Sequence, residues 1–199
     1  MTIRSLFATP LYQADLGDAA PVEALVHALT VLAKEDRAGI NWSRDHGYKG
    51  YTSYASLNDL PQRDPDIAAL VKLIDRHVAR FAEMAGMELH KKLRCDSLWV
   101  NVMQPGAHHS GHIHPHSVVS GTFYVAIPDG AGGIRFEDPR LPMLMAAPLR
   151  RADADESQQS FVTIQPQVGM LLLWESWLRH AVLPHQGKGQ RLSISFNYA

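Results

Sequence analysis

Five of the eleven histidines, His108, His109, His112, His114 and His116, fall within nine consecutive positions. Inside that cluster, His112-Ile113-His114 has the spacing that suits chemistry. Residues two apart on an extended backbone point to one face, so both imidazoles can reach a single cation. Neutral imidazole ligates iron, zinc, nickel or copper, so the pair alone does not choose the ion, and a surface loop holding no ion could carry the same letters. His180 supplies a third ring. It follows the apolar run from Gly169 to Trp174, placed where a later strand can return beside the first pair. Three protein ligands leave coordination positions open, which a catalytic metal requires. His185 competes for the third place, but Pro184 and Gly187 mark a turn around it. Glu137, Asp138 and Glu175 are carboxylates within reach of such a set; the first two fit a strand end better, and Glu175 fits the orienting of a neighbour. Of the remaining histidines, His108 and His109 suit the entrance of a cavity and Pro115 turns His116 away. His27 and His77 belong to helix surfaces, His46 and His90 to loops.

A second polar constellation lies near the C-terminus. In Arg191-Leu192-Ser193-Ile194-Ser195-Phe196-Asn197, strand alternation puts Arg191, Ser193, Ser195 and Asn197 on one face and the apolar residues on the other. A face wetted by bulk solvent would show the same alternation. The arginine with a hydroxyl two residues on also fits a carboxylate, which a guanidinium can hold with two charge-assisted hydrogen bonds where lysine cannot. Tyr124 and Asn101 can add neutral hydrogen bonds to the same anion.

The elements that must position these groups change character along the chain. Residues 6–16 predict one short strand. Pro21 opens a helix over 21–35, where Val22, Leu25, Val26, Leu29 and Leu32 recur at helical spacing. Residues 47–60 lack a period and read as a loop that can touch a substrate. Asp64-Pro65 caps a second helix, whose Ile67, Leu70, Ile74, Val78 and Phe81 form one apolar stripe ending at Gly86. Beyond Leu89 the period becomes two, with strands predicted over 98–103, 118–127, 133–137, 161–164, 169–174 and 191–198 between Pro- and Gly-rich breaks. Residues 142–159 form a long, charged, exposed loop. Short strands at such spacing suit a double-sheet jelly roll with the helices covering one sheet. Trp174 and Trp177 read as core and rim aromatics, and Cys95 as a buried packing residue.

Taken together, His112-x-His114, Gly169-x-x-x-x-Trp174, His180 and Arg191-x-Ser193 resemble the iron(II)- and 2-oxoglutarate-dependent oxygenases over about residues 98–198. Within them the chain looks most like small, uncharacterised bacterial oxygenases related to prolyl hydroxylases, on the residues His112-Ile-His114-Pro115, Ser120-Gly121, Tyr124, Gly133, Phe136, Asp138-Pro139-Arg140 and Arg191-Leu-Ser-Ile-Ser-Phe-Asn197. The resemblance implies a mainly β fold with N-terminal helices, a double-stranded β-helix with helices packed on one sheet. It assigns His112, His114 and His180 to iron(II), Arg191 and Ser193 to the distal carboxylate of 2-oxoglutarate, and Tyr124 and Asn101 to helping roles; no catalytic group beyond the metal ligands is implied. The implied reaction is oxidative decarboxylation of 2-oxoglutarate to succinate coupled to hydroxylation of a substrate C–H bond. One position departs from the wider superfamily, which places Asp or Glu where this chain has His114. The exchange removes a negative charge beside the metal and should raise its reduction potential. Two other classes compete. A cupin-type metalloprotein matches Gly106 ahead of His112-x-His114, yet Val118 and Val119 stand where its glutamate belongs. Arg191-x-Ser193 also has no role in that reading. A jelly roll that binds metal or a partner without catalysis is the other class, and the altered triad suits it.

Length and charge bound the rest. A chain of 199 residues, 46% hydrophobic and 20% charged, suits one folded domain, with 1–90 as helical preface and support and 91–199 as the catalytic core. Nineteen basic against twenty acidic residues give a charge of −1 and no electrostatic footprint for nucleic acid or an anionic membrane. A single cysteine and the absence of a signal-like opening or a long apolar run point to the cytoplasm. The expected partners are O2 and a small-molecule or protein side-chain substrate; a homodimer is compatible with the sequence.

Overall fold

The computed structural model describes residues 2–199. Period and capping decide the helices. Asp64 takes the N-cap position of α4 (Pro65–Met84), and its carboxylate accepts hydrogen bonds from the Asp66 and Ile67 amides, with Pro65 at the position where a missing N–H costs nothing. The buried face of α4 is Ile67, Leu70, Ile74, Val78 and Phe81, the predicted stripe. Helix α1 (Val22–Glu35) likewise occupies the expected span and buries Leu25 and Leu29.

Helix α2 (Arg37–Asp45) lies beyond the helix expected over 21–35 and has no apolar period to announce it. It is a polar helix held by its cap. The Asp36 carboxylate accepts from the Gly39 amide at 3.1 Å and from the hydroxyls of Tyr51 at 2.9 Å and Ser56 at 2.5 Å. Burial works to raise the Asp36 pKa, but the hydrogen bonds from Ser56, Gly39 and Tyr51 outweigh it and hold the carboxyl below its ordinary value. A Cβ on Gly39 would collide with that carboxylate and lie 2.8 Å from both Ser56 Oγ and the Tyr51 ring, so this glycine permits a close approach rather than ending the helix.

The strands are β1 (Leu11–Asp15), β2 (Gly50–Thr52), β3 (Cys95–Met103), β4 (His109–His112), β5 (Val119–Ala126), β6 (Ile134–Glu137), β7 (Phe161–Ile164), β8 (Met170–Glu175), β9 (His180–Val182) and β10 (Arg191–Tyr198); a short helix, α3 (Leu60–Arg63), precedes α4. The first strand is shorter than expected because Pro10 delays pairing until Leu11. β2 lies inside the stretch predicted to be a loop. Every pairing is antiparallel. Six strands form one sheet in the order β1-β8-β5-β10-β3-β2, and four form the other, β4-β9-β6-β7.

Alternation then sorts two cores. One face of the large sheet, with Val100, Phe123, Leu171, Leu173, Ile194 and Phe196, packs on α1 and α4. Each such fully buried side chain contributes roughly 1.5–3 kcal/mol. The other face meets the small sheet through Tyr124, Ile134, Phe136, Leu172 and Trp174. Two facing antiparallel sheets with helices on one of them are the jelly-roll arrangement that the strand spacing predicted. The large sheet's inner face carries the alternate residues of β10, so Arg191, Ser193 and Ser195 line the space between sheets. Residues 142–159 run over the surface with two single 3₁₀ turns, Leu141–Met143 and Glu156–Gln158, and do not line that space. Cys95 is half-buried at the start of β3, where burial pushes its thiol up to about 12. Among the described residues, no helix is long and apolar enough to cross a membrane.

Candidate active site between the sheets

The three histidines meet at one end of the cavity. β4 and β9 pair with His112 directly opposite His180, and their ring centroids lie 4.4 Å apart. His114 reaches the same place by a different route than strand alternation. β4 stops at His112, and His114 sits two residues beyond it, its amide donating to the Ser176 carbonyl at 3.0 Å. Its ring lies 5.1 Å from that of His112 and 5.2 Å from that of His180. One nitrogen from each ring falls within 4.8 Å of the others, so the three could hold one cation. Two tautomers follow from the backbone. His112 Nδ1 is 2.7 Å from the Ser110 carbonyl and His180 Nδ1 is 2.9 Å from the Leu178 carbonyl. Each carbonyl requires an N–H there, which leaves Nε2 unprotonated and free to ligate. Burial pulls His114 down to about 4 and His180 to about 3, so both rings are neutral near pH 7, the form a metal needs.

None of the competing groups joins them. His185 is buried, but its Nε2 faces the Gly189 carbonyl and its Nδ1 accepts from the Gly187 amide. His116 takes a left-handed backbone angle (φ 77°) and is exposed. Glu137 pairs with Arg179, Asp138 with Arg140, and Glu175 accepts from Trp177 Nε1.

At the other end lies a buried cation without an anion. Arg191 is 2% exposed, and its NH1 donates to Ser193 Oγ at 3.2 Å and approaches Met103 Sδ at 3.1 Å. Its Nε has no partner. Tyr124 stands against it, 5.1 Å from guanidinium carbon to ring centroid, with a buried hydroxyl that also lacks a partner. Burial raises the Tyr124 phenol against the pull of Arg191, so the hydroxyl keeps its proton and can donate. Asn101 Nδ2 donates to Ser195 Oγ at 3.3 Å on the same floor. Among the described residues, three buried side-chain polar atoms have no partner: Tyr124 Oη, Arg191 Nε and Trp174 Nε1. All three residues line this cavity.

Several lining residues were not singled out from sequence. Tyr48 is hydrogen-bonded to His109 Nε2 at 2.9 Å, 61 positions away, and burial pushes its phenol up and the His109 ring down to about 3. Trp42, His46, Tyr54 and Trp99 line the rim. The only forewarning was the aperiodic stretch containing Tyr48 and Tyr54.

Comparison with known proteins agrees with this geometry. No curated protein matches the sequence. The structure is similar over 96% of its length to a prolyl-4-hydroxylase from Pseudomonas putida (16% identity, 92% of that chain, TM-score 0.60). It is similar to the same extent to SnoN, a non-heme alpha-ketoglutarate-dependent epimerase from nogalamycin biosynthesis (15% identity, 76% of that chain, TM-score 0.65). HygX from Streptomyces hygroscopicus, solved with nickel, 2-oxoglutarate and hygromycin B, also matches over 96% of this chain and 83% of its own (18% identity, TM-score 0.63). At these identities the likeness establishes the double-stranded β-helix fold. The family model described as "Putative 2OG-Fe(II) oxygenase" matches residues 97–197, half of the chain, and that segment contains all three clustered histidines and Arg191. The chain therefore belongs to the 2OG-Fe(II) oxygenase family.

Proposed function

We propose that His112, His114 and His180 hold iron(II), and that Arg191, with Tyr124, Ser193 and Asn101, holds 2-oxoglutarate for the hydroxylation of a substrate C–H bond. The observation that carries this reading is the buried guanidinium. A charge removed from water without a counter-ion costs several kcal/mol, and a protein keeps one where a ligand completes it. The residues fit both groups. The triad offers three neutral imidazole nitrogens from three separate segments, and the Arg191 and Tyr124 donors are unsatisfied atoms facing one cavity.

Bound together, iron(II) and 2-oxoglutarate would supply O2-dependent oxidation: of the four electrons that reduce O2, two would come from 2-oxoglutarate as it becomes succinate and CO2 and two from the substrate C–H bond, with one oxygen atom entering each product. The protein's part is positional and electrostatic. Ser193 accepts from one arm of the guanidinium and so fixes the plane in which it meets a carboxylate. Tyr124 remains protonated and donates a second, neutral hydrogen bond. The carbonyls of Ser110 and Leu178 lock His112 and His180 in the Nδ1–H tautomer. Phe136 and Trp174 pack against the His180 ring at 6.0 and 4.7 Å and keep water from it.

The charge balance and lone cysteine support a cytoplasmic, single-domain enzyme that binds no nucleic acid, acting on a small molecule or a protein side chain. The test is conversion of 2-oxoglutarate to succinate by the iron-loaded protein, with Arg191→Ala as control. We expect turnover in wild type and its loss in the variant. Absence of both turnover and 2-oxoglutarate binding in wild type would remove the proposal.

A further inference from the structure

The cavity, about 700 Å³, is larger than a five-carbon diacid fills, and its outer part is built unlike its floor. Trp42 and His46 stack 4.1 Å apart with their planes 16° from parallel. Trp42 meets Tyr54 at 6.2 Å, Tyr54 meets Trp99 edge-on at 5.4 Å, and Trp99 reaches His114 at 5.7 Å. Four rings thus run from the rim to one of the three clustered imidazoles. Tyr54, in the middle, is 63% exposed. A phenol left open beside a cleft gains its apolar contact only when something lies against it. Trp42, His46 and Tyr54 also precede residue 97, where the family match begins, so most of this wall is peculiar to the N-terminal part of the chain.

Charge narrows what the wall can take. Among the described residues, no Asp or Glu lines the cavity, and the Lys and Arg side chains that do are Lys49 and Arg191. Lys49 is exposed and forms no ion pair among the described residues. Aromatic walls do bind ligand cations, but two fixed positive charges and no carboxylate oppose one here. On the reading given above, which this inference deepens, the two charges of iron(II) and the two of 2-oxoglutarate cancel, because three neutral imidazoles add none. Lys49 and Arg191 then leave the loaded cavity with an excess of positive charge, and a carboxylate in place of His114 would have lowered it by one.

We propose that Trp42, Tyr54 and Trp99 form the substrate subsite, and that the substrate is a small ring-bearing anion whose ring lies on this wall and whose charge is favoured by the positive excess that Lys49 and Arg191 give the cavity. Tyr54 is the specificity-determining residue in this scheme, and Lys49 acts on specificity through the charge of the cavity.

The experiment uses the full-length protein loaded with zinc and saturating 2-oxoglutarate, so that no turnover occurs and the Arg191 end is filled. Three probes share one ring: phenylacetate, phenylacetamide and phenethylamine, with binding followed by ligand-observed NMR. We expect phenylacetate to bind about tenfold or more tightly than phenethylamine, a difference of about 1.4 kcal/mol. Tyr54→Ala should weaken phenylacetate severalfold with 2-oxoglutarate affinity unchanged, and Lys49→Gln should narrow the preference for phenylacetate over phenylacetamide. Both side chains are exposed, so neither variant threatens folding. The subsite is overturned, with the cosubstrate reading intact, if 2-oxoglutarate binds but the amine binds as well as the acid, if Tyr54→Ala changes nothing, or if phenylacetate competes with 2-oxoglutarate. Failure of 2-oxoglutarate to bind wild type would overturn the cosubstrate reading and the subsite with it.

Discussion

Replacing Arg191 with methionine separates a residue kept for a ligand from one kept for the fold, because the two roles predict opposite signs. In the unliganded protein the guanidinium is 2% exposed, lies over the Tyr124 ring, hydrogen-bonds Ser193 Oγ and Met103 Sδ, and leaves Nε unsatisfied. A buried donor without an acceptor costs about 1–3 kcal/mol. Methionine has a similar length, packs beside Met103, and carries nothing to desolvate. The unliganded Arg191→Met protein should therefore be more stable than wild type by about 1–2 kcal/mol, a rise of roughly 2–8 °C in melting temperature for a chain of this size. The diacid reverses the order. Loss of a buried charge pair costs about 3 kcal/mol of binding, roughly 150-fold in affinity. At a 2-oxoglutarate concentration about 100 times its wild-type dissociation constant, wild type gains about 2.7 kcal/mol and the variant only a few tenths. Thermal unfolding of the zinc-loaded proteins, with and without 2-oxoglutarate, should show the two melting temperatures crossing. A variant that melts below wild type alone, yet rises with the diacid as far as wild type does, would refute the reasoning.

Other expectations concern the imidazoles and what holds them. Burial depresses His109, His114 and His180 to about 3, 4 and 3 from the ordinary 6.5, so the unfolded chain takes up protons first. Folding stability of the metal-free protein should be complete above about pH 6.5 and decline as the pH falls towards about 4, seen as a lower urea midpoint at about pH 5 than at about pH 7.5. His180→Ala should bind metal at least about 100-fold more weakly, measured as metal content after dialysis, while His185→Ala leaves metal content unchanged. Ser120→Ala strands two buried partners, Ser176 Oγ at 2.8 Å and Asn197 Oδ1 at 2.8 Å, and should cost about 1–3 kcal/mol in urea denaturation. Gly121→Ala would put a Cβ 2.5 Å from the Phe196 ring and 2.7 Å from the Leu172 carbonyl, with a loss of about 1–3 kcal/mol by the same assay.

What could be read from sequence was whatever repeats locally. The apolar stripe of α4, the Asp64 cap and the alternation of β10 each follow from neighbours within a few residues, and the structure places all three as expected. Gly50-Tyr-Thr, His109-Ser-Gly-His and His180-Ala-Val lack an alternation of large apolar residues, so β2, β4 and β9 were not among the predicted strands, whereas the equally short β6 and β7 carry Ile134, Phe136, Phe161 and Ile164; β4 and β9 hold two of the three histidines. The gathering of His114 could not come from alternation, because the strand ends before it. A hydrogen bond to Ser176, 62 positions on, brings it in. The aromatic rim was hidden for the same reason. Trp42 sits on a polar helix that no hydrophobic pattern announces, and its neighbours arrive from a loop and from β3.

The two ends of the cavity are prepared in opposite ways, and this bears on how substrate and cosubstrate bind. At the rim the polar groups beneath the aromatic rings are already paired. Asp36 accepts from Gly39, Tyr51 and Ser56, while Ser53 ties the same segment to Val100 and Ser43 ties it to Thr52. The aromatic rings are thus carried on backbone that needs no ligand to order it, so a substrate meets a formed surface and loses little to reorganisation. On the floor, Tyr124 Oη and Arg191 Nε stay unsatisfied. Forming that end without its anion is unfavourable, and filling it removes the cost. The cosubstrate should therefore stabilise the fold far more than any substrate does, so thermal shifts will report the diacid clearly, and the substrate has to be found by direct binding measurements.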